Sequence, residues 1–219
     1  SLMEVSTIAD NIGATQSTGY EFSLNTVNLT GPFKWNTTLN ISSYNDRWKE
    51  RNPDVVLAPY EKEDAPIRAI YGCVSDGILQ IGETPPASMP DLLPGQMKVK
   101  DLNGFDPNDG SKLLGHPDGK IDAADRIYLG STDPKVIIGF GNMFEYKNFD
   151  LNIFFYGMFG QYVANSNRAK YGPSGCEYIL QRQNYSKEVL ERWTPDNPTN
   201  KFPSGFYSAY YGGDDWLLE

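Results

Sequence analysis

Six aspartates, Asp101, Asp106, Asp109, Asp118, Asp122 and Asp125, crowd between positions 101 and 125 against only Lys112 and Lys120. That stretch carries −4 of the chain's formal −9. Carboxylates so close repel unless a cation or hydrogen-bond donors relieve them. With 105–117 set aside, the remainder reads Asp101-Leu102-Asn103-Gly104-Asp118-Gly119-Lys120-Ile121-Asp122-Ala123-Ala124-Asp125. Oxygen-bearing side chains then fall at positions 1, 3, 5, 9 and 12, a glycine at 6 and an apolar residue at 8, the spacing of an EF-hand-like calcium loop. A hard cation takes six to eight oxygens, and the glycine lets the loop turn sharply halfway. The expected ligands are Asp101, Asn103, Asp118, Asp122 and Asp125 with the backbone carbonyl of Lys120, and the expected ion is a structural Ca2+. The pattern departs from the usual one in the excursion 105–117 and in Asp125, which stands where a longer glutamate is common. Three alternatives stay open: a separate cage from Asp106, Asn108 and Asp109, magnesium in place of calcium, or a solvated loop of Asx turns with no ion.

Other reactive chemistry is sparse. His116 is the one histidine, and it lies in a polar, glycine-flanked loop, so a Ser-His-Asp or Cys-His arrangement has little to build on. Gly139, Gly141, Gly157 and Gly160 fall inside strand-like alternation, where glycine marks bulges or crowding, not a phosphate cradle. The chain is read as a non-enzyme. Cys73 and Cys176 match no zinc, haem or thioredoxin spacing and are read as free thiols. With 19 basic against 28 acidic residues and no basic run, no nucleic-acid partner is expected. The sequons at Asn28, Asn36, Asn40 and Asn184 are read as ordinary polar-face residues.

The elements that must position this loop come from alternation. Tyr20, Phe22 and Leu24 alternate with Glu21, Ser23 and Asn25, and after Thr30-Gly31-Pro32 the pattern resumes from Phe33 to Ser42. This two-residue period predicts a long hairpin over 18–43. A second hairpin is expected over 136–160, turning at Lys147-Asn148. Between them runs a long loop, 44–135, holding the acidic motif and a strand pair expected at 67–74 with 77–81. A second long loop, 161–213, is expected to carry one short helix, because Ser186 offers an N-cap to Lys187–Trp193 and Pro195 ends the run. The start of another strand is expected at 214–219.

The expected class is all-β: long antiparallel hairpins with long loops. Short turns alternating with long loops, on strands of about ten residues, are what an outer-membrane β-barrel uses. The rival is a secreted, calcium-stabilised glycan-binding β-module. In a barrel Phe149, Leu151, Ile153 and Phe155 face lipid; in the rival they are buried against a second sheet. No export signal opens the chain, and Asp214–Glu219 breaks off within an apolar run, so a piece of a longer protein is expected.

Several segments, in order, resemble the SusC/RagA-type TonB-dependent transporters of the Bacteroidetes outer membrane. They are Asn11–Gly13 to Gly19–Asn25, Phe33–Ile41, Lys98–Asn103, Asp118–Asp122 to Arg126, Leu129–Gly130 to Pro134–Lys135, Gly139–Phe155 and Arg192–Pro198. The Asp118–Asp122 loop followed by Asn148–Phe155 is the most specific part. The resemblance implies a segment from the C-terminal half of a barrel of about 22 strands. It also implies import of glycans or peptides with a SusD-like surface lipoprotein, driven by TonB. The family's plug and TonB box have no counterpart here, and the excursion 105–117 is usually absent. Open strand edges in an isolated segment are expected to pair with another copy.

Overall fold

The structure, a computed structural model, describes residues 13–165, 167 and 184–204. Cys176, the aromatic residues Tyr207, Tyr210, Tyr211 and Trp216, and the strand expected at 214–219 lie outside the described residues. The strands, in chain order, are β1 (Gly13–Thr30), β2 (Phe33–Arg51), β3 (Ala69–Gly72), β4 (Ser75–Ile78), β5 (Met97–Val99), β6 (Phe105–Asp106), β7 (Asp109–Leu113), β8 (Ile127–Ser131), β9 (Val136–Tyr146) and β10 (Phe149–Phe159). Two compact units form. One takes in Ser1–Leu57, Glu61–Arg68 and Asp133–Gln161, the other Ala58–Tyr60, Ala69–Thr132 and Tyr162–Glu219.

The first unit is an antiparallel sheet in the order β1-β2-β9-β10. Both hairpins form, and the first is longer than the alternation predicted. Its strands run 18 and 19 residues and pair from Gly13↔Arg51 to Thr30↔Lys34. The alternation stops at Ser42, yet β2 continues because β1 pairs with it as far as Arg51, and on the edge that β9 no longer covers Asp46 and Trp48 bond Ile67 and Ala65. Phe33 pairs with Tyr146, so both short turns lie at one end of the sheet and the chain enters and leaves at the other. Lys147 adopts a left-handed φ of 55° in the second turn, as two-residue hairpin loops require.

The second unit is built from loops around its own core. Cys73, Leu79, Met89, Leu92 and Val99 pack together, and Ile121 of the acidic motif packs against them. Trp193 is buried beside them and donates its indole N–H to Gln80 Oε1 at 2.8 Å. Gly95 has φ +88°, and a Cβ there would lie 2.4 Å from the Trp193 ring, so glycine is needed for both the backbone and the close approach.

Two local expectations are corrected. The segments 67–74 and 77–81 do not pair with each other: β3 pairs with β8, and β4 with β5. Short strands carry too little local pattern to choose a partner, and the buried core decides it. The expected short helix is a 3-10 turn at Lys187–Glu191, and Ser186 makes no side-chain cap. The turn has five residues and ends at Glu191, and two residues on the Trp193 N–H already goes to Phe202 O, which leaves no room for α-helical propagation.

Candidate functional site

Two arrangements bear on function, the faces of the sheet and the acidic loop. Directly paired residues of antiparallel strands share a face. One face of the sheet therefore collects Tyr20, Phe22 and Leu24, Leu39 and Ile41, Ile138 and Phe140, and Phe149, Leu151, Ile153 and Phe155. Phe149 is 79% exposed, and Phe22, Leu151 and Phe155 are exposed with it. The rival module required Phe149, Leu151, Ile153 and Phe155 to be buried against a second sheet; each is exposed. Near the short turns this face carries an aromatic band: Phe33 and Trp35 each stack on Phe144, at 6.0 and 5.8 Å, with Tyr146 alongside. Lys147 places its ammonium over the Tyr146 ring.

One polar group interrupts the apolar face and is satisfied within the sheet. Asn142 Oδ1 accepts from the Trp35 indole N–H at 2.9 Å and from Thr37 Oγ1 at 2.8 Å, and Asn28 donates to Thr37. Asn28 thus belongs to the apolar face, at the bulge between Val27 and Leu29. The opposite face is mostly polar. Ser23 bonds Asn40, and Lys34 pairs with Glu145 at 2.8 Å, relieving the Glu145–Asp150 juxtaposition.

In the acidic loop, residues 105–117 fold out as a small excursion. β6 pairs with β7, Leu114 N–H closes onto Gly104 O, and Gly115 N–H donates to Asn103 Oδ1 at 2.7 Å. The two halves of the interrupted motif meet across its base, where Asp101 accepts from the N–H groups of Asp118 and Gly119. Gly119 takes φ +84°, the left-handed turn expected of the sixth position. Asp122 caps the 3-10 turn Ala123–Asp125, accepting from Ala124 N–H, and Asp118 accepts from Lys120 N–H.

Asp125 is 0% exposed and accepts from the N–H groups of Leu102, Asn103 and Asp122. Its carboxylate ties the two halves of the motif together. Asp106 and Asp109 form Asx turns onto Asn108 and Ser111. The Asp109 carboxyl is held below the usual aspartate range, first by the Ser111 hydroxyl and then by Lys112 and the Ser111 N–H. Among the described residues, no three His, Cys, Asp or Glu side chains converge as a metal-binding group. His116 is exposed, its ring beside Pro117 O.

Sequence reasoning missed two features. Asp125 as a buried anchor had no signal beyond its spacing, whereas the Trp35–Asn142 bond was visible as a polar residue inside an apolar alternation.

No protein-family model matches the chain. It is 32% identical over 203 residues to TonB-dependent receptor P26 of Formosa agariphila, covering 88% of this chain and 19% of that protein. Against TonB-dependent receptor P3 of the same organism it is 29% identical over 217 residues, covering 91% of this chain and 20% of that protein. The fold matches a chain in the structure of the RagAB peptide importer in the "open-open" state with a TM-score of 0.63 and 18% identity, covering 94% of this chain and 21% of that one. The chain is thus similar in sequence to TonB-dependent receptors and in fold to a chain of the RagAB peptide importer, and this all-β chain spans about a fifth of the length of the proteins it matches.

Proposed function

We propose that this chain is part of the wall of an outer-membrane, TonB-dependent transporter that imports glycans or peptides with a SusD-like lipoprotein and performs no catalysis itself. The observation that carries the reading is the apolar sheet face, exposed along β9 and β10 and banded with aromatic rings beside the short turns. The 11-residue strands β9 and β10, at ~3.3 Å per residue and a tilt of about 40°, would cross ~25 Å, the height of a barrel's apolar band. Lipid then covers the apolar face, and the polar face lines the lumen. The test is uptake of labelled oligosaccharides and peptides by cells carrying the full-length protein, with and without TonB. TonB-dependent uptake supports the reading; TonB-independent uptake, or recovery of the protein from the soluble fraction, overturns it.

The acidic loop supports a second, narrower proposal. Oxygens of Asp101, Asn103, Asp118 and Asp122 with the Lys120 carbonyl would take a structural Ca2+, while Asp125 acts through the backbone it holds. The closure of the loop beneath its excursion and the left-handed Gly119 favour this. Calcium that binds only the folded loop raises the unfolding midpoint with concentration. A midpoint equal in calcium and in chelator overturns the proposal.

A further inference from the structure

The polar face of the sheet also carries apolar side chains on β9 and β10, Ile137, Met143 and Met158 among them. On β10, Phe154 and Tyr156 point to the same side as Asp150 and Asn152, yet they are 62% and 61% exposed. Phe154 pairs with Gly141, and Tyr156 with Gly139. Ideal Cβ positions on those two glycines would both lie 3.5 Å from atoms of the Phe154 ring. The ring therefore spans two successive same-face glycines and is seated along the strand, with open surface toward the lumen. Beyond the glycines, Thr38 pairs with Gly141 and Asn40 with Gly139. The result is a shallow trough whose floor is the Phe154 ring lying over the two glycines, bordered on β2 by the uncharged side chains of Thr38 and Asn40.

We propose that this trough, with Phe154 as its platform, binds a neutral oligosaccharide during passage. A sugar ring presents C–H groups on its faces and hydroxyls on its edge, which suits a flat aromatic surface beside uncharged donors and acceptors. Thr38, Asn40, Gly139, Gly141, Phe154 and Tyr156 carry no charge, so nothing among them recognises a peptide's ionised termini. The proposal rests on the reading of this face as lumen and narrows its cargo to glycan.

The test uses the full-length protein in detergent, titrated calorimetrically with malto-, cello- and xylo-oligosaccharides and with unmodified short peptides. The wild type binds at least one sugar series. Phe154→Ala weakens that binding about tenfold, the scale of a stacked ring contact, while Phe154→Trp retains it. Asn40→Ala weakens it as well, and the unfolding midpoint of Phe154→Ala stays at the wild-type value. Failure of the wild type to bind any of the sugars overturns the proposal, as does unchanged affinity in Phe154→Ala. A lowered midpoint in Phe154→Ala, not shared by Asn40→Ala, means that the ring packs against protein inside the barrel and also overturns it. TonB-dependent sugar uptake equal in wild type and Phe154→Ala sinks the platform alone, whereas TonB-independent uptake by the wild type sinks the transport reading.

Discussion

The two units use the same apolar residue types in opposite ways. In the loop unit Leu79 is 1% exposed, locked among Met89, Leu92 and Val99, while in the sheet Leu151 is 55% exposed on the apolar face. Burial against protein is close packing, where each methylene has a fixed neighbour. Burial against lipid needs only an apolar surface of the right height, because acyl chains rearrange around it. The polar groups differ accordingly. Asp125 is enclosed and holds three backbone donors, whereas Asn142 sits on the apolar face of the sheet and takes its partners across the strands.

The sharpest way to break this contrast is at Asp125. Asp125→Ala strands three backbone N–H groups in a closed site, and at about 1–3 kcal/mol for each such loss the unfolding free energy should fall by on the order of 4 kcal/mol. Calorimetry of the full-length protein measures it, and Asp125→Asn should recover part of the loss. A change under about 1 kcal/mol would mean that the loop is not held this way.

A matched pair of truncations comes next. Leu92→Ala should cost about 2–5 kcal/mol, since a cavity remains. Leu151→Ala should cost about 1–2 kcal/mol in lipid vesicles, because lipid fills the space and only the transfer loss is felt. Equal costs would show that β10 packs on protein.

Charge sharpens the contrast across one strand. Ile153→Arg should destabilise the folded protein in vesicles by about 2–4 kcal/mol, whereas its neighbour Asn152→Arg, on the other face, should cost about 1 kcal/mol or less. Reversal of the two would exchange lipid and lumen.

The smallest effect is titration in the excursion. Asp109 has a lowered folded-state pKa, caused first by the Ser111 hydroxyl. Its contribution is therefore present above the unfolded-state pKa and lost as pH falls through the folded-state value. Ser111→Ala should raise that pKa, followed by carboxyl NMR, with little change in global stability because the group is exposed.

Much of the sheet was legible in the chain itself. A period of two over ten positions, repeated, fixes strands, faces and turns, because side chains alternate by covalent geometry. The extension of β2 to Arg51 was not legible, since Tyr44–Arg51 has no apolar alternation and is held by pairing with β1 on one edge and by backbone bonds to Ala65 and Ile67 on the other. The acidic loop divides in the same way. Its spacing placed Asp101 with Asp118 once the excursion 105–117 was set aside, and Gly119 announced the turn. That Asp125 turns inward to the N–H groups of Leu102 and Asn103, not outward, depends on how the chain closes.

By itself, the sequence determined what repeats locally: strand period, turn sites, the sign of the charge and the oxygen-rich loop. Tertiary structure alone decided which short strands pair, that the Phe154 ring seats over Gly139 and Gly141, and that a 3-10 turn follows Ser186. Those outcomes depend on contacts between residues far apart in the chain, and the energy of such a contact is set by its packed surroundings, not by the residues beside it in sequence.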